Sequence, residues 1–112
     1  MEVRTRVLGE EHPATLTSMG NLAITLRAQG DHAAARRLQE RVLEVRSRVL
    51  GEEHPDTLTS MNNLAITLYY MDDRDGAVRL LRKCLDGRIK KLGEEHPDTI
   101  STRKSLKVVE GN

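Results

Sequence analysis

The sequence predicts an all-α chain built as a right-handed α-solenoid of antiparallel helix pairs, and three observations carry that prediction. The string LGEEHP occurs three times, with its glycine at Gly9, Gly51 and Gly93, so one unit returns every 42 residues. Within each unit, apolar residues recur at steps of three and four, the period of a helix face. The chain has no Phe or Trp, and its only aromatics apart from histidine are Tyr69 and Tyr70. Its core must therefore be filled by Leu, Val, Ile, Met and Ala, which suit packed helices. A helix pair of this size cannot bury both faces alone, so successive pairs stack on one another.

The elements follow in chain order. Met1 falls on the register position of Leu43, so residues 1–8 are expected to be half of a second helix, with Val3, Val7 and Leu8 on its apolar side. His12-Pro13 then opens a first helix, because proline suits the first helical position and pushes its predecessor into extended backbone. Leu16, Met19, Leu22, Ala23 and Leu26 line one face of that helix, expected over 13–29. Gly30 closes it in a left-handed conformation, and Asp31 caps the next helix. That helix carries Ala35, Leu38, Val42, Val45 and Val49 along its seam and ends at Gly51, which completes a first unit over 13–50.

His54-Pro55 opens a second unit over 55–92, laid out like the first. Asp56 sits in its first turn, where a carboxylate meets the positive end of the helix dipole. The mid-unit turn falls on Asp72 and Asp73, and Asp72 fits a left-handed bend less well than glycine. The second helix of this unit bears one stripe of Leu81, Leu85, Ile89 and Leu92 beside Ala77, Leu80 and Cys84. Gly87 lies inside it, at an expected cost of about 1 kcal/mol relative to alanine, and marks a candidate kink. His96-Pro97 opens a third copy over 97–110, in which Arg103 and Lys107 replace Met61 and Ala65. A helix turned polar in this way is expected to cap the array against water.

Composition excludes more than it identifies. Eighteen Lys and Arg stand against seventeen Asp and Glu, so no global field favours nucleic acid or an acidic membrane. No apolar run approaches the roughly 20 residues of a spanning helix. A lone cysteine, Cys84, and no secretory signal pattern point to a reducing, cytoplasmic setting. No nucleophile, base and orienting group converge, and no phosphate-binding glycine loop or spaced Cys/His set appears, so neither catalytic residues, nor a metal site, nor a cofactor is expected. His12, His54 and His96 stand in separate loops roughly 10 Å apart, the spacing of packed helices, too far to share a metal. They read as helix-entry residues, and His32 as an isolated surface residue.

The unit resembles the tetratricopeptide repeat (TPR), in the 42-residue version typical of kinesin light chain. NLAITL, RVLEVRSRVLGEEHPDT and MNNLAITLYY carry the likeness, with Gly30 as the mid-repeat turn glycine, Leu22 and Ala23 at the Leu-Gly pair, and Ala35 and Ala77 at the second-helix alanine. Ser47 replaces the family's helix-ending proline, consistent with a longer second helix. The resemblance implies protein binding without catalysis: a partner's peptide segment lies in the concave groove lined by the first helix of each unit. Carried over by position, the groove residues are Thr17, Asn21, Thr59, Asn62, Asn63, Ile66, Tyr69, Tyr70, Lys104 and Ser105, with Ser101 beside them.

Asn21 and Asn63 offer both a donor and an acceptor to an extended backbone, or else bond only neighbouring helices. Tyr69 and Tyr70 replace Arg27 and Ala28 of the first unit. They are either binding anchors or packing for a second helix. Lys104, with Arg103 and Lys107, either favours a carboxylate-bearing peptide or is simply solvated. The alternative function is self-association through the open N-terminal end, within a larger scaffold or signalling protein.

Overall fold

The structure, a computed structural model, describes residues 11–111. The half helix expected at 1–8 lies outside them. Among the described residues five helices run in order: α1 Pro13–Ala28, α2 His32–Leu50, α3 Pro55–Tyr70, α4 Arg74–Leu92 and α5 Pro97–Glu110. Each packs on the next, and α1 also touches α3. The chain is a right-handed solenoid of antiparallel helix pairs.

The recurrent His-Pro step has a direct physical role. In α1, α3 and α5 the histidine is the N-cap, in extended backbone, and its Nδ1 accepts the N–H of the residue two further on, at 3.1, 3.0 and 3.0 Å. Proline at the first helical position has no N–H to satisfy, so the imidazole serves the next one. Asp31 and Asp73 cap α2 and α4, each accepting an N–H three residues on.

The mid-unit turns bend through positive φ: 90° at Gly30 and 64° at Asp72. A Cβ in that region costs energy that glycine avoids. Asp72→Gly is therefore expected to stabilise the fold by about 0.5–1 kcal/mol despite glycine's larger unfolded-state entropy, measurable as a higher midpoint in urea.

Among the described residues the core consists of three apolar clusters. Leu16, Met19, Val42 and Val45 join α1 to α2. Leu58, Met61 and Cys84 join α3 to α4. Leu64, Ala65, Leu68, Ala77, Leu81 and Val109 extend the core through α4 to α5. Leu43 of α2 packs against both second-unit clusters and so ties the two units together. A fully buried leucine or valine contributes about 1.5–3 kcal/mol relative to an exposed one.

Several expected core positions are exposed. Leu22 keeps 40% of its surface, whereas its counterpart Leu64 keeps 5%. Leu64 belongs to a cluster that Leu43 covers, and the register counterpart of Leu43 is Met1, outside the described residues. Val49 and Leu92 are exposed as well, lying beyond the last buried residues of their helices, Val45 and Arg88. Gly87 is buried inside α4, which runs through it without a break. A Cβ there would lie 2.5 Å from Leu58 Cδ2, so the missing side chain lets α3 and α4 approach.

Buried polar residues recur in the same register. Arg46 of α2 donates to Ser60 Oγ at 2.8 Å and Arg88 of α4 to Thr102 Oγ1 at 2.6 Å, each lying also near the carbonyl of the aspartate that follows the proline. Each arginine thus fastens the second helix of one unit to the first helix of the next. Between α2 and α3, the Thr67 hydroxyl donates to Gln39 Oε1 at 2.6 Å. One unit further on, the same two positions are the apolar Leu81 and Val109.

Candidate functional site

The proposed groove residues all lie at the surface. Thr17, Asn21, Thr59, Tyr69, Tyr70 and Lys104 are exposed, and Asn62, Asn63, Ile66 and Ser105 are half-buried. The structure brings four of them to one place. Ile66, Tyr69 and Tyr70 of α3 face Ser105, Val108 and Val109 of α5 across a recess of about 270 Å³, floored by Ala65 and Leu81. No charged side chain lines it. At these wall positions α3 ends in two bulky tyrosines where α1 ends in Arg27 and Ala28.

The two tyrosines have different surroundings. Tyr70 stacks on His32 of α2, with ring centroids 5.7 Å apart and planes 12° from parallel. His32 is thus half-buried and partnered, not isolated on the surface as its sequence position suggests. Tyr69 meets Tyr70 edge-on at 5.9 Å and 61°. The contact with the preceding unit fixes Tyr70, and Tyr70 in turn orients Tyr69 at the rim, an edge-to-face arrangement that aromatic quadrupoles favour. Both remain accessible, Tyr70 at 60% and Tyr69 at 37%.

The other residues are spread along the face. Lys104 and Ser105 border a shallow trough on α5 with Ile100, Ser101 and Val108. Asn63 lines a recess of about 20 Å³ with Gly20, Gln39 and Arg46, and its backbone carbonyl accepts a bond from Arg27 at 3.2 Å. Thr17 borders a separate recess of about 120 Å³ beside Val49 and His54. Asn21, Thr59 and Asn62 line none of these hollows.

Sequence reasoning missed Val108, a wall of the main recess. Its signal was present: Ile24, Ile66 and Val108 are the same register position, apolar in every copy yet outside the core stripe.

Cys84 is not part of this site. It is fully buried, and its thiol faces the Leu58 carbonyl at 3.3 Å. Burial pushes the thiol above its ordinary range, opposed by the Arg88 guanidinium and a hydrogen bond to Thr102, and reinforced by Asp98. Cys84 is therefore expected to react with a maleimide or an aromatic disulfide only at the rate of unfolding, and rapidly in denaturant. Fast labelling of the folded chain would contradict that burial.

A tetratricopeptide repeat profile matches residues 1–46 and 21–90. The chain belongs to the tetratricopeptide repeat family. Its TPR units are of the kinesin-light-chain-like kind. The Podosopora anserina protein named for kinesin light chain, with nearly identical TPR-like repeats, has 30% sequence identity and a TM-score of 0.92, over 96% of this chain and 51% of its own. A singly substituted form of that protein gives the same values. BtubC (BKLC) from P. vanneervenii, at 24% identity and a TM-score of 0.88, shares the fold over 96% of this chain and 43% of its own. The TPR chain thus spans about half the length of these structures or less. No curated protein gives a match. TPR units are protein–protein interaction modules, and their fold is a non-catalytic scaffold. Among the described residues no helix is long and apolar enough to cross a membrane.

Proposed function

We propose that the chain binds a peptide segment of a partner protein along the face formed by α1, α3 and α5, with one apolar side chain of the ligand seated in the Tyr69–Val108 recess. The observation that carries this reading is the recess itself. It is apolar, it opens between two first helices, and it is bordered by the only tyrosines of the chain. Rigid aromatics beside an apolar hollow supply large contact area at little entropic cost, the composition of binding hot spots.

Ser105, in the wall of the hollow, and Asn63, in a separate small recess, offer hydrogen bonds to an extended backbone. Lys104 adds a positive charge at the α5 end, which favours a ligand with a carboxylate beyond its apolar anchor.

Peptides selected from a displayed linear library on the intact chain test this. Tyr69→Ala is expected to weaken a selected peptide about tenfold or more, as loss of a central aromatic anchor does, while leaving the thermal midpoint nearly unchanged. Retained affinity in Tyr69→Ala and Val108→Ser together would place the ligand elsewhere.

A further inference from the structure

The gap between successive first helices is repeated along the chain, but its chemistry is not. Leu81 and Ser105 border the apolar recess between α3 and α5, and their register counterparts, Gln39 and Asn63, border the small recess between α1 and α3. In this earlier gap Arg27 reaches across to the Asn63 carbonyl at 3.2 Å, where the later gap has Tyr69. What is left is a hollow of about 20 Å³, bordered by Gly20 of α1, Gln39, Val42 and Arg46 of α2, and Ser60 and Asn63 of α3. That is room for one water-sized group.

Gln39 is incompletely bonded there. Its side chain is 4% exposed and its Oε1 accepts from Thr67 at 2.6 Å, but its Nε2 has no partner. Two N–H donors are thus buried unpaired, a cost in free energy that an acceptor would remove. Arg46 brings further donors, with one of its N–H groups on Ser60 Oγ at 2.8 Å, and the Ser60 hydroxyl is itself committed to the Asp56 carbonyl at 3.0 Å. No carboxylate borders the hollow, so donors are in excess. Gly20 leaves its mouth open: a Cβ there would meet nothing within 4 Å, and the later copies have Asn62 and Lys104 at that position.

We infer that this hollow is a second subsite of the peptide groove, which takes the acceptor oxygen of a short polar side chain (Asn, Asp, Ser or Thr) of the ligand. The inference rests on the groove reading and adds a residue pattern to it. Equivalent points on packed helices lie roughly 10 Å apart, and an extended chain advances about 3.3 Å per residue. The acceptor therefore stands about three residues from the apolar side chain seated beside Tyr69. One gap selects a polar residue and the next an apolar one, because Gln39 and Thr67 occupy the positions of Leu81 and Val109.

The probes are peptides selected on the intact chain from the displayed library. Selection should return an acceptor side chain about three positions from the apolar anchor. Changing that peptide residue to leucine should weaken binding about tenfold by calorimetry, the effect of one lost buried hydrogen bond. Gln39→Leu with Thr67→Val, which installs the pair of the second unit, should make the two peptides bind alike, whereas Tyr69→Ala should weaken both. On the unaltered chain, the side-chain amide resonances of Gln39 should shift with the acceptor peptide and not with its leucine version. That readout decides the matter even if the double variant loses its fold. Equal affinity of the two peptides for the parent chain, which a hollow that merely holds a water would give, overturns the inference. Weakening by Tyr69→Ala would then still uphold the groove reading. If Tyr69→Ala has no effect on either peptide, the groove reading falls and the inference with it.

Discussion

Gly87→Val, which installs the residue of the first unit at the same register position, is expected to destabilise the domain by about 2–3 kcal/mol, the usual cost of overpacking a filled core. Helix propensity alone predicts the opposite sign, since glycine inside a helix costs about 1 kcal/mol relative to alanine. Packing wins because a Cβ at position 87 would lie 2.5 Å from a methyl of Leu58, a side chain only 2% exposed and enclosed by Met61 and Cys84. For a chain of this size the midpoint of thermal unfolding should fall by roughly 10–20 °C. A double-mutant cycle identifies the cause: with Leu58→Ala in place, Gly87→Val should cost at least about 1 kcal/mol less than it does alone. An additive cycle, or a stabilised Gly87→Ala, would show that α3 and α4 do not meet at this point.

Arg88→Ala should cost about 3 kcal/mol, because it removes a buried charged hydrogen bond and leaves space where the side chain packed. Arg88 is 9% exposed, and its Nη1 lies 2.6 Å from Thr102 Oγ1 and 3.4 Å from the Asp98 carbonyl. Arg88→Met separates the two contributions, since it keeps an apolar stem and loses the guanidinium. It should recover part of the loss but remain about 1–2 kcal/mol below the parent chain in denaturant unfolding. Full recovery with methionine would mean that the hydrogen bonds contribute nothing. Arg46→Ala, at the half-buried counterpart, should cost less, since solvent compensates there for the lost bond to Ser60.

The fold was legible in the sequence because its signals are local and repeated. The His-Pro steps set three helix starts, Gly30 and Gly51 set two ends, and the apolar stripes set the pairing. What the sequence concealed depends on neighbours that only the fold supplies. Leu22 reads as core by spacing, yet its exposure depends on what lies over it. Gly87 reads as a weak point by propensity, yet Leu58 makes its missing side chain necessary. Arg88 is picked out by no apolar spacing, although the register repeats it with Arg46, and Ser60 with Thr102.

The groove was legible only in part, for the same reason. Tyr69 and Tyr70 stood out because they depart from the first unit, and the structure places both at one recess with Ile66 and Ser105. The contact that orients them, His32 against Tyr70, joins residues 38 positions apart in sequence and has no counterpart in the repeat. Asn21, Thr59 and Asn62 follow from position alone, and no hollow gathers them.

The central claim is that a partner peptide anchors between α3 and α5. Chemical-shift mapping of the isotope-labelled chain with a library-selected peptide tests it most directly. The claim predicts the largest changes at Ile66, Tyr69, Ser105 and Val108, and at the His32 ring through its stack on Tyr70. Changes confined to the outward faces of α2 and α4, with the tyrosine recess unmoved, would contradict it.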